Sequence, residues 1–144
     1  MSMTFVVGYD GSAAARRALD FAVERAKLQG GGIILAHVLE WSPYSFLTPS
    51  ELEERHKRRK EELERAESAV IAPVLKELAG SGVEVKGAIR YGHIADTICA
   101  IAKDEGAGQI MIGRNGVGGF SERVFGSVAG SLAQVSPVPC TIVP

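Results

Sequence analysis

Five short runs rich in β-branched and other apolar residues, at 4–8, 33–39, 83–89, 109–112 and 140–143, alternate along the chain with stretches of helical periodicity. Short apolar runs bounded by Gly, Pro, Asp and Ser read as strands. Helices between them return the chain to the same end of the sheet, so the strands must be parallel, with right-handed crossovers. The expected fold is therefore α/β: a single domain with an open five-stranded parallel sheet and helices on both faces. A chain of 144 residues has the length of one such domain. Run 83–89 alternates polar and apolar residues, and Pro139 precedes the last run, so both strands are expected at or near an edge.

The helical stretches are legible in the same way. Between 13 and 29, Leu19, Ala22, Val23 and Ala26 form an apolar stripe opposite Arg17, Asp20, Glu24 and Lys27, and Gly30-Gly31-Gly32 stops the helix. Ser50 with Glu53 is the expected capping box of a highly charged helix that starts at 51, and Pro73 should kink or divide this long helix. Within its charged part, 51–67, the pairs Glu53–Lys57, Glu54–Arg58 and Glu61–Arg65 have the favourable i,i+4 order. Ile94, Ile98 and Ile101 should face inward on the next helix, ended by Gly106, and Val128, Leu132 and Val135 on the last.

Charge and composition exclude several classes. The net charge of −1 gives no global attraction to nucleic acid or to an acidic membrane, and the basic residues of 51–67 are matched by acids, as on a solvated helix face. No apolar run approaches the roughly 18 residues of a membrane span, and no leader-like segment opens the sequence, so a cytoplasmic protein is expected. Cys99 and Cys140 lie far apart in apolar patterns and read as reduced core residues. His37 reads as a core histidine in its strand. His56 lies among helix charges, and His93 precedes a helix, so the histidines form no zinc-like spacing.

In parallel sheets, ligands bind beyond the carboxyl ends of the strands where the winding direction reverses. The turn Asp10-Gly11-Ser12, the end of the second strand at His37-Val38 and a glycine-rich stretch over 113–128 all belong to that edge. The stretch lies between a strand and a helix start, where backbone N–H groups gather around an anion. Ser127 either caps that helix or offers its hydroxyl to a phosphate. Neither a Walker loop, which needs Gly-Lys-Ser/Thr, nor a dinucleotide fingerprint after the first strand is present.

What the stretch does contain is Gly, two residues, Gly, nine residues, then Gly-Ser, with Gly113, Gly116, Gly126 and Ser127 in the fixed places. In this spacing the chain resembles the universal stress protein family, ATP-binding branch. The opening Val-Gly-Tyr-Asp-Gly-Ser, His37-Val38 and the closing Pro-Val-Pro-Cys-Thr-Ile-Val are similar to that family as well. The resemblance implies a Rossmann-like sheet of the adenine nucleotide alpha hydrolase type that binds ATP or AMP and acts as a stress-response regulator or sensor. It implies that Val38 meets adenine through its main chain, and that Gly8 and Asp10 line the base and ribose side. Asp10 would then bond a ribose hydroxyl or help hold Mg²⁺. Ile112 and Gly113 would face ribose and α-phosphate, and Gly116, Gly126, Ser127 and Val128 would wrap the phosphates. It further implies a homodimer through the last strand, 140–143. Gly8 stands where some nucleotide-binding members have proline.

Other expectations come from the residues. Arg114 and Arg123 either screen phosphate charge or point to water. No lysine flanks the loop, and only Glu122 or Asp10 offers a base, so any ATPase activity should be slow. The 41–50 segment, with Trp41, Tyr44 and Phe46, is a candidate lid or docking surface for a protein partner. Two alternatives remain: a dimeric interaction module that binds no nucleotide, and an ATP-pyrophosphatase-type enzyme. The second normally carries Ser-Gly-Gly-x-Asp-Ser, from which residues 8–12 depart.

Overall fold

A computed structural model describes residues 3–40, 48–114 and 126–144. In chain order it contains β1 (Phe5–Gly8), α1 (Ala13–Gln29), β2 (Gly32–Leu39), α2 (Pro49–Ala66), a π-helical segment (Glu67–Ile71) and α3 (Ala72–Leu78). Then come β3 (Glu84–Tyr91), α4 (Ile94–Asp104), β4 (Gln109–Gly113), α5 (Ser127–Val135) and β5 (Cys140–Val143). The strands form one parallel sheet in the order β3-β2-β1-β4-β5, as the alternation of runs implies.

Side chains alternate across a strand, so each central strand feeds two cores. Phe5, Val7, Ile33, Leu35 and Met111 pack with Leu19, Ala22 and Ala26 of α1 and with Ile71 and Val74. Val6, Ile34, Ala36, Ile110 and Ile112 pack with Ile98 and Ile101 of α4 and Leu132 of α5. Residues 5–7 and 33–36 are almost wholly removed from water, which explains why those runs show no polar alternation. β3 and β5 are the edges, with half-buried residues, as Lys86 and Pro139 foreshadow.

Two local expectations, the α2 cap and Val135, are corrected, and a third gains detail. Thr48, not Ser50, caps α2. Its hydroxyl accepts from Glu51 N at 3.2 Å while Glu51 accepts from Thr48 N at 3.2 Å. The reason is Pro49, whose missing N–H suits the first helical position and so moves the cap upstream to Thr48. Pro73 does divide the long helix, as expected, and does so through a π-helical segment between α2 and α3. Ala72 N donates to Glu67 O, a five-residue step, and the carbonyl of Ala69, which the proline ring would otherwise strike, lies inside the widened segment. Val135 is 55% exposed rather than inward, since α5 ends there. Of the three i,i+4 pairs, Glu54–Arg58 comes within 4 Å, at 3.9 Å between exposed side chains, so it adds little.

Candidate functional site

The chain winds from β1 outward through β2 to β3, then returns to place β4 and β5 on the other side of β1. The winding therefore reverses between β1 and β4, and in sheets of this kind ligands bind beyond the carboxyl ends of the strands at that point.

One wall is the turn after β1. Tyr9 N donates to Ala36 O at 2.8 Å, and His37 Nδ1 donates to Tyr9 O at 2.8 Å. Asp10 is exposed and accepts from Ser12 N through Oδ1 at 2.9 Å, while Ser12 Oγ accepts from Ala15 N and caps α1. Gly11 turns the chain at φ +82°, which a side chain would disfavour. Gly8 ends β1 under Ile98 and Ile112; a Cβ there would lie 3.2 Å from Ile98 Cδ1.

β2 forms the second wall. Its register with β1 stops at Gly8↔Ala36, whereas its pairing with β3 continues to Leu39↔Tyr91. The Ala36 carbonyl points to the β1 side and the Leu39 carbonyl to the β3 side, where Gly92 N donates to it at 3.0 Å. Since backbone direction repeats every second residue, the N–H and C=O of Val38 point with those of Ala36, over the end of β1.

The third wall joins β4 to α5. Arg114 N donates to Val143 O at 2.8 Å, and Gly126 N donates to Arg114 O at 2.9 Å, so both stems of the glycine stretch are pinned together. Gly113 allows this: a Cβ there would stand 2.7 Å from the Ala14 carbonyl oxygen, so only glycine lets β4 pass the first turn of α1. Arg114 Nε is buried and has no hydrogen-bond partner among the described residues. Ser127 is the first residue of α5, not its cap; Gly126 holds the cap position and has no side chain to make a capping bond. The first intrahelical bond runs from Gly130 N to Gly126 O at 3.1 Å, which leaves the N–H groups of Ser127, Val128 and Ala129 without helical partners.

Gly8, Asp10, Val38, Ile112, Gly113, Gly126, Ser127 and Val128 thus lie on the carboxyl edge of the sheet or the helix start behind it. Gly116, Glu122 and Arg123 lie outside the described residues, as do Trp41, Tyr44 and Phe46. Among the described residues, no group of three His, Cys, Asp or Glu could hold a metal ion. His56 is exposed on α2, and the His93 side chain makes no capping bond at α4. Both cysteines are free, Cys99 buried and Cys140 half-buried. Sequence reading missed the grip of His37 on Tyr9 and the buried Arg114 Nε. The available signal was position: each lies at the carboxyl end of a strand flanking β1.

Comparison with known proteins gives the family and the fold. The model of the universal stress protein family matches residues 1–144. Universal stress protein YxiE of Bacillus subtilis (strain 168) is 30% identical over 151 residues, covering 96% of each chain. A universal stress protein of Thermus aquaticus is 30% identical, covering 99% of each. Among solved structures, hypothetical protein MJ0577 superposes with a TM-score of 0.80 at 29% identity, covering 99% of this chain and 96% of its own. Two more distant structures share the fold and carry nucleotides. One is a universal stress protein in complex with cAMP (TM-score 0.62, 24% identity, covering 99% of this chain and 96% of its own). The other is an Arabidopsis thaliana family protein with AMP bound (TM-score 0.66, 16% identity, covering 98% and 90%). With its whole length matched by the family model and curated members 30% identical over nearly all of it, this chain belongs to the universal stress protein family.

Proposed function

We propose that the protein binds an adenine nucleotide, ATP or AMP, beyond the carboxyl ends of β1 and β4, and serves as a cytoplasmic stress-response regulator or sensor. The observation that carries this reading is the start of α5, which has glycine at its cap and three N–H donors without partners among the described residues, behind a loop stem pinned to β4. A helix start in that state favours an anion by both donors and dipole. Arg114 Nε, in a half-buried side chain at the same stem, has no partner among the described residues and is a donor of the kind a phosphate would satisfy. The Val38 main chain would meet the adenine edge, Gly8 would admit the base beside Ile112, and Asp10 would face ribose. Gly113, Gly116, Gly126, Ser127 and Val128 would hold the phosphates. Asp10 is a single carboxylate, so Mg²⁺ would enter with the phosphates, as it commonly does, rather than in a protein cage. Two proteins of the same fold hold cAMP and AMP, which is consistent with this reading.

Calorimetric titration tests it. Saturable heat with Mg·ATP or AMP is expected, lost in Gly126→Val, whose cap backbone at φ −56° tolerates a side chain and which would set a branched side chain where the phosphates are proposed to lie. A flat trace up to millimolar nucleotide overturns the reading.

A homodimer through β5 belongs to the same proposal. The outer edge of β5 has no strand partner among the described residues, and its residues are half-buried. Light scattering after size exclusion should give twice the monomer mass. The Val143 carbonyl faces β4, so the Ile142 N–H faces outward, and an Ile142→Pro variant should shift the protein to the monomer; a monomeric wild type refutes it.

A further inference from the structure

An exposed carboxylate on a turn has no fixed direction unless the backbone beneath it is held. Beneath Asp10 it is held from β2. Tyr9 is gripped twice, through its N–H by Ala36 O and through its carbonyl by His37 Nδ1, both at 2.8 Å. A carbonyl oxygen only accepts, so Nδ1 carries the hydrogen. The Tyr9 carbonyl and the Asp10 N–H belong to one rigid peptide plane, so fixing the oxygen fixes the point from which Asp10 departs. The Asp10 carboxylate is then oriented by Ser12 N on Oδ1 at 2.9 Å, and among the described residues no hydrogen bond engages Oδ2.

We propose that His37 is the positioning residue of the candidate site: its bond to Tyr9 holds the β1 turn so that Asp10 presents its free oxygen to a ribose hydroxyl. This rests on the nucleotide reading above. His37 acts only through Tyr9. Side-chain alternation puts it on the α1 face of β2, with Ile33 and Leu35, whereas Val38 lies on the α4 face. β2 therefore serves the site twice, by the Val38 main chain and by an imidazole reaching across to the neighbouring turn. Without the imidazole the Tyr9–Asp10 plane loses its only side-chain anchor among the described residues, and Asp10 loses its aim without any loss of adenine or phosphate contacts.

The test titrates wild type, His37→Ala, His37→Asn and His37→Gln with ATP and with its 2′-deoxy and 3′-deoxy analogues. Asparagine places an amide donor near the position of Nδ1; glutamine places it one bond farther out. Wild type should prefer ATP over one of the deoxy analogues by about tenfold, the size of a hydrogen bond to a charged acceptor. His37→Ala should lose that preference while binding the disfavoured analogue within about twofold of wild type. That retained binding shows that the variant is folded. His37→Asn should recover most of the preference and His37→Gln should not. Should His37→Ala fail to fold, the Asn–Gln contrast decides alone. A His37→Ala protein that keeps the preference overturns the inference, as does an Asn variant no better than Gln. A wild type that binds all three nucleotides equally overturns it too, with the nucleotide reading intact. A wild type that binds none overturns both.

Discussion

Gly113 and Gly130 undergo the same substitution to alanine with opposite expected results, because the structure surrounds them differently. Neither has a positive φ, so backbone strain plays no part. At Gly113 the new Cβ would lie 2.7 Å from Ala14 O and 2.8 Å from Ala14 C, where ordinary contact begins at 3.4 Å. Both atoms are backbone in the first turn of α1, so no side chain can rotate away and the helix itself must shift off β4. Overpacking of this kind costs about 1–3 kcal/mol. The lost freedom of the unfolded chain returns about 0.4–1 kcal/mol. A net loss of about 1–2 kcal/mol remains, a fall in Tm of roughly 3–8 °C for a domain of this size. At Gly130, inside α5, nothing lies within 4 Å of the added Cβ. There alanine gains about 0.5–1 kcal/mol of helix propensity, a rise of roughly 2–4 °C. Differential scanning calorimetry of the two variants at one pH and without nucleotide measures both. Shifts of the same sign would refute the claim that the α1–β4 approach requires glycine.

Three further outcomes are expected. Glu77 meets Arg16 at 2.6 Å, and that hydrogen bond holds its carboxyl below the usual range. A depressed carboxyl stabilises the fold above its unfolded pKa, near 4.3, and loses that contribution as pH falls through the folded value. The advantage of wild type over Glu77→Gln in chemical unfolding should thus vanish in acid and shrink in high salt; a pH-independent difference would contradict it. The Tyr91 hydroxyl donates to Glu62 at 2.8 Å and to Arg59 O at 3.1 Å; burial first, then the Glu62 carboxylate, push its pKa up to about 12. Absorbance titration at alkaline pH should show one tyrosine ionising near 12, moving toward 10 in Glu62→Gln. The stability it adds is complete below about 10 and is lost as pH rises through the folded value. Burial raises the thiol pKa of both Cys99 and Cys140, helped by Asp96 at the first and by Cys99 at the second. Thiol reagents at mildly alkaline pH should modify them slowly in the native protein and rapidly in denaturant; equal rates would contradict the packing.

At the candidate site the sheet edge presents mainly backbone. β1 stops at Gly8 while β2 runs on to Leu39, and this difference in length uncovers the Val38 main chain. β4 stops at Gly113, and the next residue spends its N–H on Val143 and its carbonyl on Gly126. Side chains enter mainly as supports: Ser12 caps α1, His37 holds Tyr9, and Arg17 Nε donates to Pro144 O behind β5.

Much of this was readable from residue order. Runs of β-branched residues too short to fold alone, with helices between them, admit little besides a parallel sheet. Polar alternation at 83–89 and Pro139 mark its edges, because a strand with water on one side tolerates Lys86 and a proline cannot donate inside a ladder. The Gly113, Gly116, Gly126 and Ser127 spacing pointed to the family in the same way. Local periodicity fixes such features because burial acts residue by residue along each segment. What only the tertiary structure decided were relations between segments: that Gly113 is demanded by Ala14, that Ser127 begins α5 without capping it, and that His37 reaches Tyr9 rather than filling a core. Those depend on how far one strand overshoots its neighbour and how closely a helix approaches a strand end. Such distances are set by the packing of the whole sheet, and no pattern within a single segment encodes them.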